Sequence, residues 1–173
     1  MQQGKDVILM FQSTDAALAT AGYVLGHLTD SNYSIGNDIV DEKTKFGRIV
    51  GYGQNSEAFE FTAYAEKGDP GQKAVLDAIR NKKQIKVWEV DLIPNENGTH
   101  DSLFAYAIVE SVEKSAAEGF VEFSGTVQVI GRTVEGTIPA LPSEVIAFAT
   151  YGFEAPGETT GEFPEQTPAP VAP

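Results

Sequence analysis

The stretch from Tyr64 to Trp88 constrains this chain most, because its periodicity changes twice within 25 residues. Alternating residues end near Tyr64, a short helical pattern follows, and alternation resumes at Ile85. Asp69 can cap the helix, Pro70 suits its first position, and Gln72 has the spacing of a capping box. Val75, Ala78 and Ile79 make one apolar stripe, and Arg80, Lys82 and Lys83 complement the negative end of the helix dipole. The pattern predicts a helix over about residues 70–82, flanked directly by strands. One solitary helix then packs on an otherwise β-rich body.

The rest of the chain agrees with that architecture. Val7–Phe11 is an apolar run that only burial explains, whereas 13–26 is small and Ala-rich and reads as a loop or irregular helix. A weaker strand is expected over Tyr33–Val40. The segment Asp41–Ser56, with Gly47, Gly51 and Gly53 and no clean period, reads as a long loop of the kind that is functional or ordered from outside the subunit. Glu57–Glu66 alternates, with Phe59, Phe61, Ala63 and Ala65 on one face and Glu60, Thr62, Tyr64 and Glu66 on the other. Further strands are expected over 84–92, 102–113, 119–130 and 133–138, with 114–118 as a hairpin connection. Five of the nine prolines fall between Pro156 and Pro173, where the only charges are Glu158, Glu162 and Glu165. Such a segment cannot bury enough apolar surface to offset its chain entropy, so it reads as a tail.

Composition excludes several function classes. With no cysteine there is no disulfide, thiolate nucleophile or cysteine-ligated metal. His27 and His100 are far apart and lack metal-binding spacing, so neither a metal nor a cofactor is expected. A formal charge of -13 opposes tight, nonspecific binding to phosphate backbones, which rests on Lys and Arg. No apolar run is long enough to cross a membrane, and the N-terminus does not read as a signal peptide, so a cytoplasmic product is expected. Asn97-Gly98 reads as a turn.

No catalytic constellation emerges. Glu57 with Glu60, or Glu110 with Glu113, could form carboxylate pairs, but solvated strand faces explain them more simply. There is no Gly-x-Ser-x-Gly elbow and no phosphate loop. Arg80, Lys82, Lys83 and Lys86 could dock an acidic partner surface, but the first three read more simply as helix-end charge compensation, and Trp88 reads as a core or subcore aromatic. What stands out is architectural: a β domain with an overlong glycine-bearing segment and a tail, features suited to a chain completed by contact with copies of itself.

Gly4–Gln12, Asp41–Ile49, Lys67–Lys73, Asn81–Trp88 and Gly157–Pro164 together resemble the major tail proteins of phages with long, flexible, non-contractile tails. The likeness runs over nearly the whole chain in matching order. It implies a β-sandwich or barrel-like fold with one flanking helix, and hexameric rings stacked into a hollow tube that conducts the genome. It further implies that neighbouring copies pool their sheets into an inner barrel, with a tape measure protein, a tail terminator and distal tail proteins as partners. The location it implies is the virion tail, with assembly in the host cytoplasm. By this resemblance the chain divides into an N-terminal arm over 1–6, a β domain over 7–142 and a Pro-rich C-terminal arm over 143–173; Asp41–Ser56 is the inter-ring loop, with Asp41, Glu42, Lys43, Lys45, Phe46 and Arg48 as contacts, and Tyr151, Phe153 and Phe163 are contacts of the C-terminal arm.

Duplex DNA carries one negative charge per about 1.7 Å of axis, so a cationic channel would hold it and an acidic or hydroxyl-bearing one would let it slide. Glu60, Thr62, Glu122, Ser124, Thr126 and Gln128 are the candidate channel-lining residues, each on the polar face of a strand whose other face is apolar. The competing readings are a β-sandwich carbohydrate-binding or adhesin module, with Trp88, Tyr52 and Tyr106 as stacking platforms, an enzyme, and the tube of a contractile tail or type VI secretion system.

Overall fold

A computed structural model describes residues 4–17, 22–116, 118–139 and 141. A 3-10 turn at Gly4–Asp6 leads into β1 (Val7–Ser13), whose five buried residues, 8–12, take in the expected apolar run except half-buried Val7 and add Gln12. β2 (Tyr23–Val24), β3 (Leu28–Thr44) and β4 (Gly47–Tyr64) follow, then α1 (Pro70–Arg80), β5 (Gln84–Pro94), β6 (His100–Ser115), β7 (Glu122–Val129) and β8 (Val134–Ile138). The strands form one antiparallel sheet in the order β2-β1-β5-β6-β7-β4-β3. β6 is long enough to hold two partners along one edge: β8 pairs with His100–Phe104 and β7 with Ala107–Ser115.

The sheet curls on itself because its inward residues are large and need a dry centre. Phe11 on β1 meets Phe61 on β4 edge-on with centroids 5.5 Å apart, although three strands separate them in the sheet, and Phe61 packs at 5.8 Å from Phe123 on β7. Leu9, Phe59, Ile85, Val87 and Val127 complete this interior, each fully buried. At about 1.5–3 kcal/mol for each large apolar side chain removed from water, this cluster carries the domain. Val75 and Ala78 turn the apolar stripe of α1 into the same core. The result is the sandwich or barrel-like β fold with one flanking helix.

The helix is anchored at its first turn. Asp69 Oδ1 accepts from the Gln72 backbone N–H at 2.8 Å, and Oδ2 accepts from the Gly26 N–H at 2.9 Å. Gln72 does not close a capping box. Its side chain instead donates to the Tyr64 carbonyl at 2.8 Å and accepts from the Glu66 N–H at 3.3 Å, tying the helix to the end of β4. The helix stops at Arg80, two residues earlier than expected, where Lys82 takes a left-handed φ of 52°.

The segment Asp41–Ser56 is not a loop. It is the outer half of a long β3–β4 hairpin, paired regularly from Ile39–Tyr52 to Thr44–Gly47. The β-branched residues Ile39, Val40, Ile49 and Val50 favour extended backbone. A two-residue turn, Lys45-Phe46, closes the hairpin: Thr44 Oγ1 donates to the Gly47 carbonyl at 2.9 Å, and Gly47 has a φ of 137° that disfavours any side chain. The period was hidden by a β-bulge, where two residues of β4 sit against one of β3 between Asn37 and Ile39. Part of 13–26 (residues 18–21), the first three residues of the N-terminal arm and the arm over 143–173, including Tyr151, Phe153 and Phe163, lie outside the described residues.

Candidate functional site

The outward face of the β4–β7 pair gathers all six candidate channel residues. Glu60 stands opposite Thr126 and Thr62 opposite Ser124, while Gln128 and Glu122 flank them opposite Ala58 and Tyr64. Their in-between neighbours Phe59, Phe61, Phe123 and Val127 are buried, so strand pleating alone directs the six away from the core. The face continues onto both adjoining strands. On β3, Asp30 lies opposite Thr62 and Asn32 opposite Glu60, with the Asn32 amide donating to Glu60 Oε2 at 3.3 Å. On β6, Ser111 and Glu113 lie opposite Thr126 and Ser124, and Glu110 accepts a hydrogen bond from the Gln128 amide.

Asp30, Glu60, Glu110, Glu113 and Glu122 therefore share a surface, and among the described residues that the register places with them on β3, β4, β7 and β6 between Ala58 and Tyr64 there is no Lys or Arg; Lys86 on β5 stands on the same face one strand further, opposite Tyr106. Asp30 and Asn32 are missed by a strand that begins at Tyr33, although Asp30, Asn32 and Ser34 already alternate with Ser31, Tyr33 and Ile35. The β6 residues are obscured by a register shift between Val109 and Ser111, which breaks the two-residue period.

This polar surface ends at two open backbone edges. β3 is the last strand of the sheet, and β6 runs past the end of β5 so that Val109–Ser115 pairs only with β7. The four strands between those edges, β6, β7, β4 and β3, are antiparallel throughout. Because four is even, the two edges point in opposite directions, and the β3 edge of one copy can continue an antiparallel ladder onto the β6 edge of another. Open edges otherwise invite uncontrolled pairing.

The hairpin carries a second surface. Beyond its last contact with β7 it exposes Ile35, Ile39, Val40, Phe46, Ile49, Val50 and Tyr52, with Phe46 fully exposed and Tyr52 at 88%. Isolated two-stranded ribbons are marginal in water, so this one needs cover. The six residues expected to make inter-ring contacts all sit at its far end. Arg48 Nε and Nη2 grip the Asp41 carboxylate at 2.8 and 2.7 Å, Lys43 lies opposite Arg48, Glu42 lies opposite Ile49, and Lys45 and Phe46 form the tip.

Other candidates do not converge. Glu57 is not on a solvated face: it is 4% exposed, points inward, and is separated by the strand from Glu60. Tyr52 stands on the hairpin, apart from Trp88 and Tyr106, whose ring centroids each lie 5.2 Å from that of Phe104. An acid-lined cleft of about 570 Å³ holds Glu89, Asp91, Asp101 and Glu135, and burial raises the Glu89 carboxyl above its ordinary range. Among the described residues no group of His, Cys, Asp or Glu is placed to hold a metal ion.

The family model described as phage tail tube protein matches residues 1–135. The chain belongs to the phage tail tube protein family. It is 45% identical over 173 residues to the tail tube protein of Bacillus phage SPP1, covering 98% of this chain and 66% of that protein. A putative tail protein of Staphylococcus phage phiMR11 is 31% identical over 123 residues, covering 70% of this chain and 64% of its own length. The chain thus spans about two thirds of the length of these relatives. Its structure superposes on the SPP1 tail tube subunit with a TM-score of 0.78 at 40% identity, covering 98% of this chain and all of that one. A subunit of a gene transfer agent virion, 11% identical with a TM-score of 0.59 over 79% of this chain and 99% of its own, shares the fold.

Proposed function

We propose that this chain is the polymerising subunit of a siphophage tail tube, in which copies close into hexameric rings and rings stack into a channel for DNA. The observation that carries this reading is the polar sheet face bounded by two open edges of opposite direction. Joining β3 of one copy to Val109–Ser115 of the next removes both edges and makes the acidic faces continuous. Membership of the tail tube family and the likeness to the SPP1 tube subunit support it.

In this assembly Glu60, Thr62, Glu122, Ser124, Thr126 and Gln128 line the channel, together with Asp30, Asn32, Glu110 and Glu113. Carboxylates repel the duplex and hydroxyls hydrate it, so DNA slides without being held. The β3–β4 hairpin reaches the next ring through Asp41, Glu42, Lys43, Lys45, Phe46 and Arg48, where burial of its apolar residues offsets the cost of ordering it. Tyr151, Phe153 and Phe163 serve the C-terminal arm in contacts with neighbouring copies. The tape measure protein, tail terminator and distal tail proteins are the remaining partners, and the chain has no catalytic role.

Electron microscopy of concentrated recombinant protein, alone and beside its nucleating tail complex, tests the reading. Hollow fibres with a regular axial repeat are expected, and discrete monomers under both conditions would refute it. Replacing Glu60 and Glu122 with Lys is expected to leave assembly intact and slow DNA ejection; unchanged ejection would remove both from the channel wall.

A further inference from the structure

The hairpin is a lever, and the structure shows what holds its root. The β4–β7 ladder ends at Ala58 opposite Gln128, and beyond that rung β4 has only β3 as a partner. Glu57 is the first residue past the rung. Its Oε2 accepts from the Tyr33 hydroxyl on β3 at 2.8 Å and from the backbone N–H of Thr133 at 2.9 Å, and the Tyr33 and Thr133 hydroxyls are 3.1 Å apart. Tyr33 in turn lies on Phe59, with ring centroids 5.1 Å apart. One buried carboxylate therefore ties both strands of the ribbon to the segment that joins β7 to β8.

We infer that Glu57 is the positioning residue that sets the angle at which the β3–β4 hairpin leaves the body, and so its alignment with the next copy. This rests on the assembly reading above. From Glu57 to Gly47 the ribbon runs ten residues, roughly 34 Å at strand rise. A tilt of about 10° at the root moves the tip about 6 Å, more than one strand spacing. Two-stranded ribbons twist and flex more than wide sheets, so the ladder alone does not fix this angle. Burial works against ionising Glu57, but hydrogen bonds from Thr133 and Tyr33 and the nearby Arg132 outweigh it and hold the carboxyl below its ordinary range, so the tie is charged at neutral pH.

The test uses the full chain, which has no cysteine of its own. Spin labels on Lys45→Cys at the tip and Glu96→Cys on the body report the hairpin angle in the monomer by double electron–electron resonance, and electron microscopy follows tube growth in the unlabelled proteins. The native carboxylate is expected to give one narrow distance. Glu57→Ala is expected to broaden or displace it by about 5 Å or more, the lever-arm motion worked out above, and to slow tube growth at least about tenfold, a change of roughly 1.4 kcal/mol in barrier. Tyr33→Phe, which keeps the ring on Phe59 and removes one donor, is expected to give an intermediate width. A folded Glu57→Ala chain with the native distance overturns the inference, as does an altered distance with tubes growing at the native rate and repeat. Should Glu57→Ala not fold, native distances in both Glu57→Gln and Tyr33→Phe overturn it. Failure of the native chain to form tubes counts against the assembly reading, whereas the monomer distance still judges the tie.

Discussion

Asp69 joins the helix to the sheet through two hydrogen bonds made by different oxygens, so its removal has a cost that can be worked out. Asp69→Ala loses the N-cap, about 1 kcal/mol. It also strands the buried Gly26 N–H, which adds about 1–3 kcal/mol. The sum is about 2–4 kcal/mol, or a fall in melting temperature of about 6–15 °C for a domain of this size. Asp69→Asn has one acceptor oxygen to share between two donors and is expected to lose about half as much. Urea unfolding of dilute, monomeric protein, followed by far-UV circular dichroism and the fluorescence of the single tryptophan, Trp88, measures both. The order native, Asn, Ala is the expected result. A loss under about 0.5 kcal/mol for Asp69→Ala would refute the claim that the carboxylate holds α1 in place.

A Cβ on Gly53 would sit 2.8 Å from Asp38 Cβ and 3.0 Å from its carbonyl oxygen, so Gly53→Ala is expected to open the bulge. The result is faster amide exchange over 37–56 and slower tube growth, with the melting temperature nearly unchanged because no core contact is involved. A Cβ on Gly71 would lie 2.7 Å from the Val24 carbonyl oxygen, so Gly71→Ala is expected to lift α1 from β2 at about 1–3 kcal/mol, read in the same urea titration. Glu57 has a folded pKa below its unfolded value of about 4.3, so its contribution is complete above that value and fades as pH falls through the folded pKa. Facing it are Tyr33, whose own pKa is raised by burial, and the Arg132 guanidinium, with Glu89 acting on Tyr33 from β5. Glu57→Gln is expected to flatten the acid limb of the stability curve, and an unchanged limb would contradict this. Deleting 155–173 is expected to leave the described core folded, since that core and the residues packed against it lie within 8–141, and to impair polymerisation; tubes of normal yield and length would count against an arm role.

The sequence revealed the elements whose two faces differ sharply. Phe59, Phe61 and Ala63 alternate with Glu60, Thr62 and Tyr64, and this one pattern located both the core and the polar face of β4. The capped start of α1 was equally legible, although the partner of Gln72 was not, because the end of β4, eight residues away in sequence at Tyr64, competed with the local cap. The outer hairpin was illegible for a physical reason. Both of its faces meet solvent in the monomer, so no alternation marks it, and the bulge opposite Asn37–Ile39 shifts what little period there is. Glu57 was misread for a related reason: a carboxylate on the apolar face of a strand looks solvated until its donors, distant in sequence, are known.

Helical reconstruction of the assembled tube by electron cryomicroscopy at side-chain detail measures the central claim most directly. The account predicts an unbroken antiparallel ladder from β3 of one copy to Val109–Ser115 of its neighbour, with Glu60, Thr126 and Glu122 facing the channel. Copies joined through any other edge, or that acidic face turned to the outside, would contradict it.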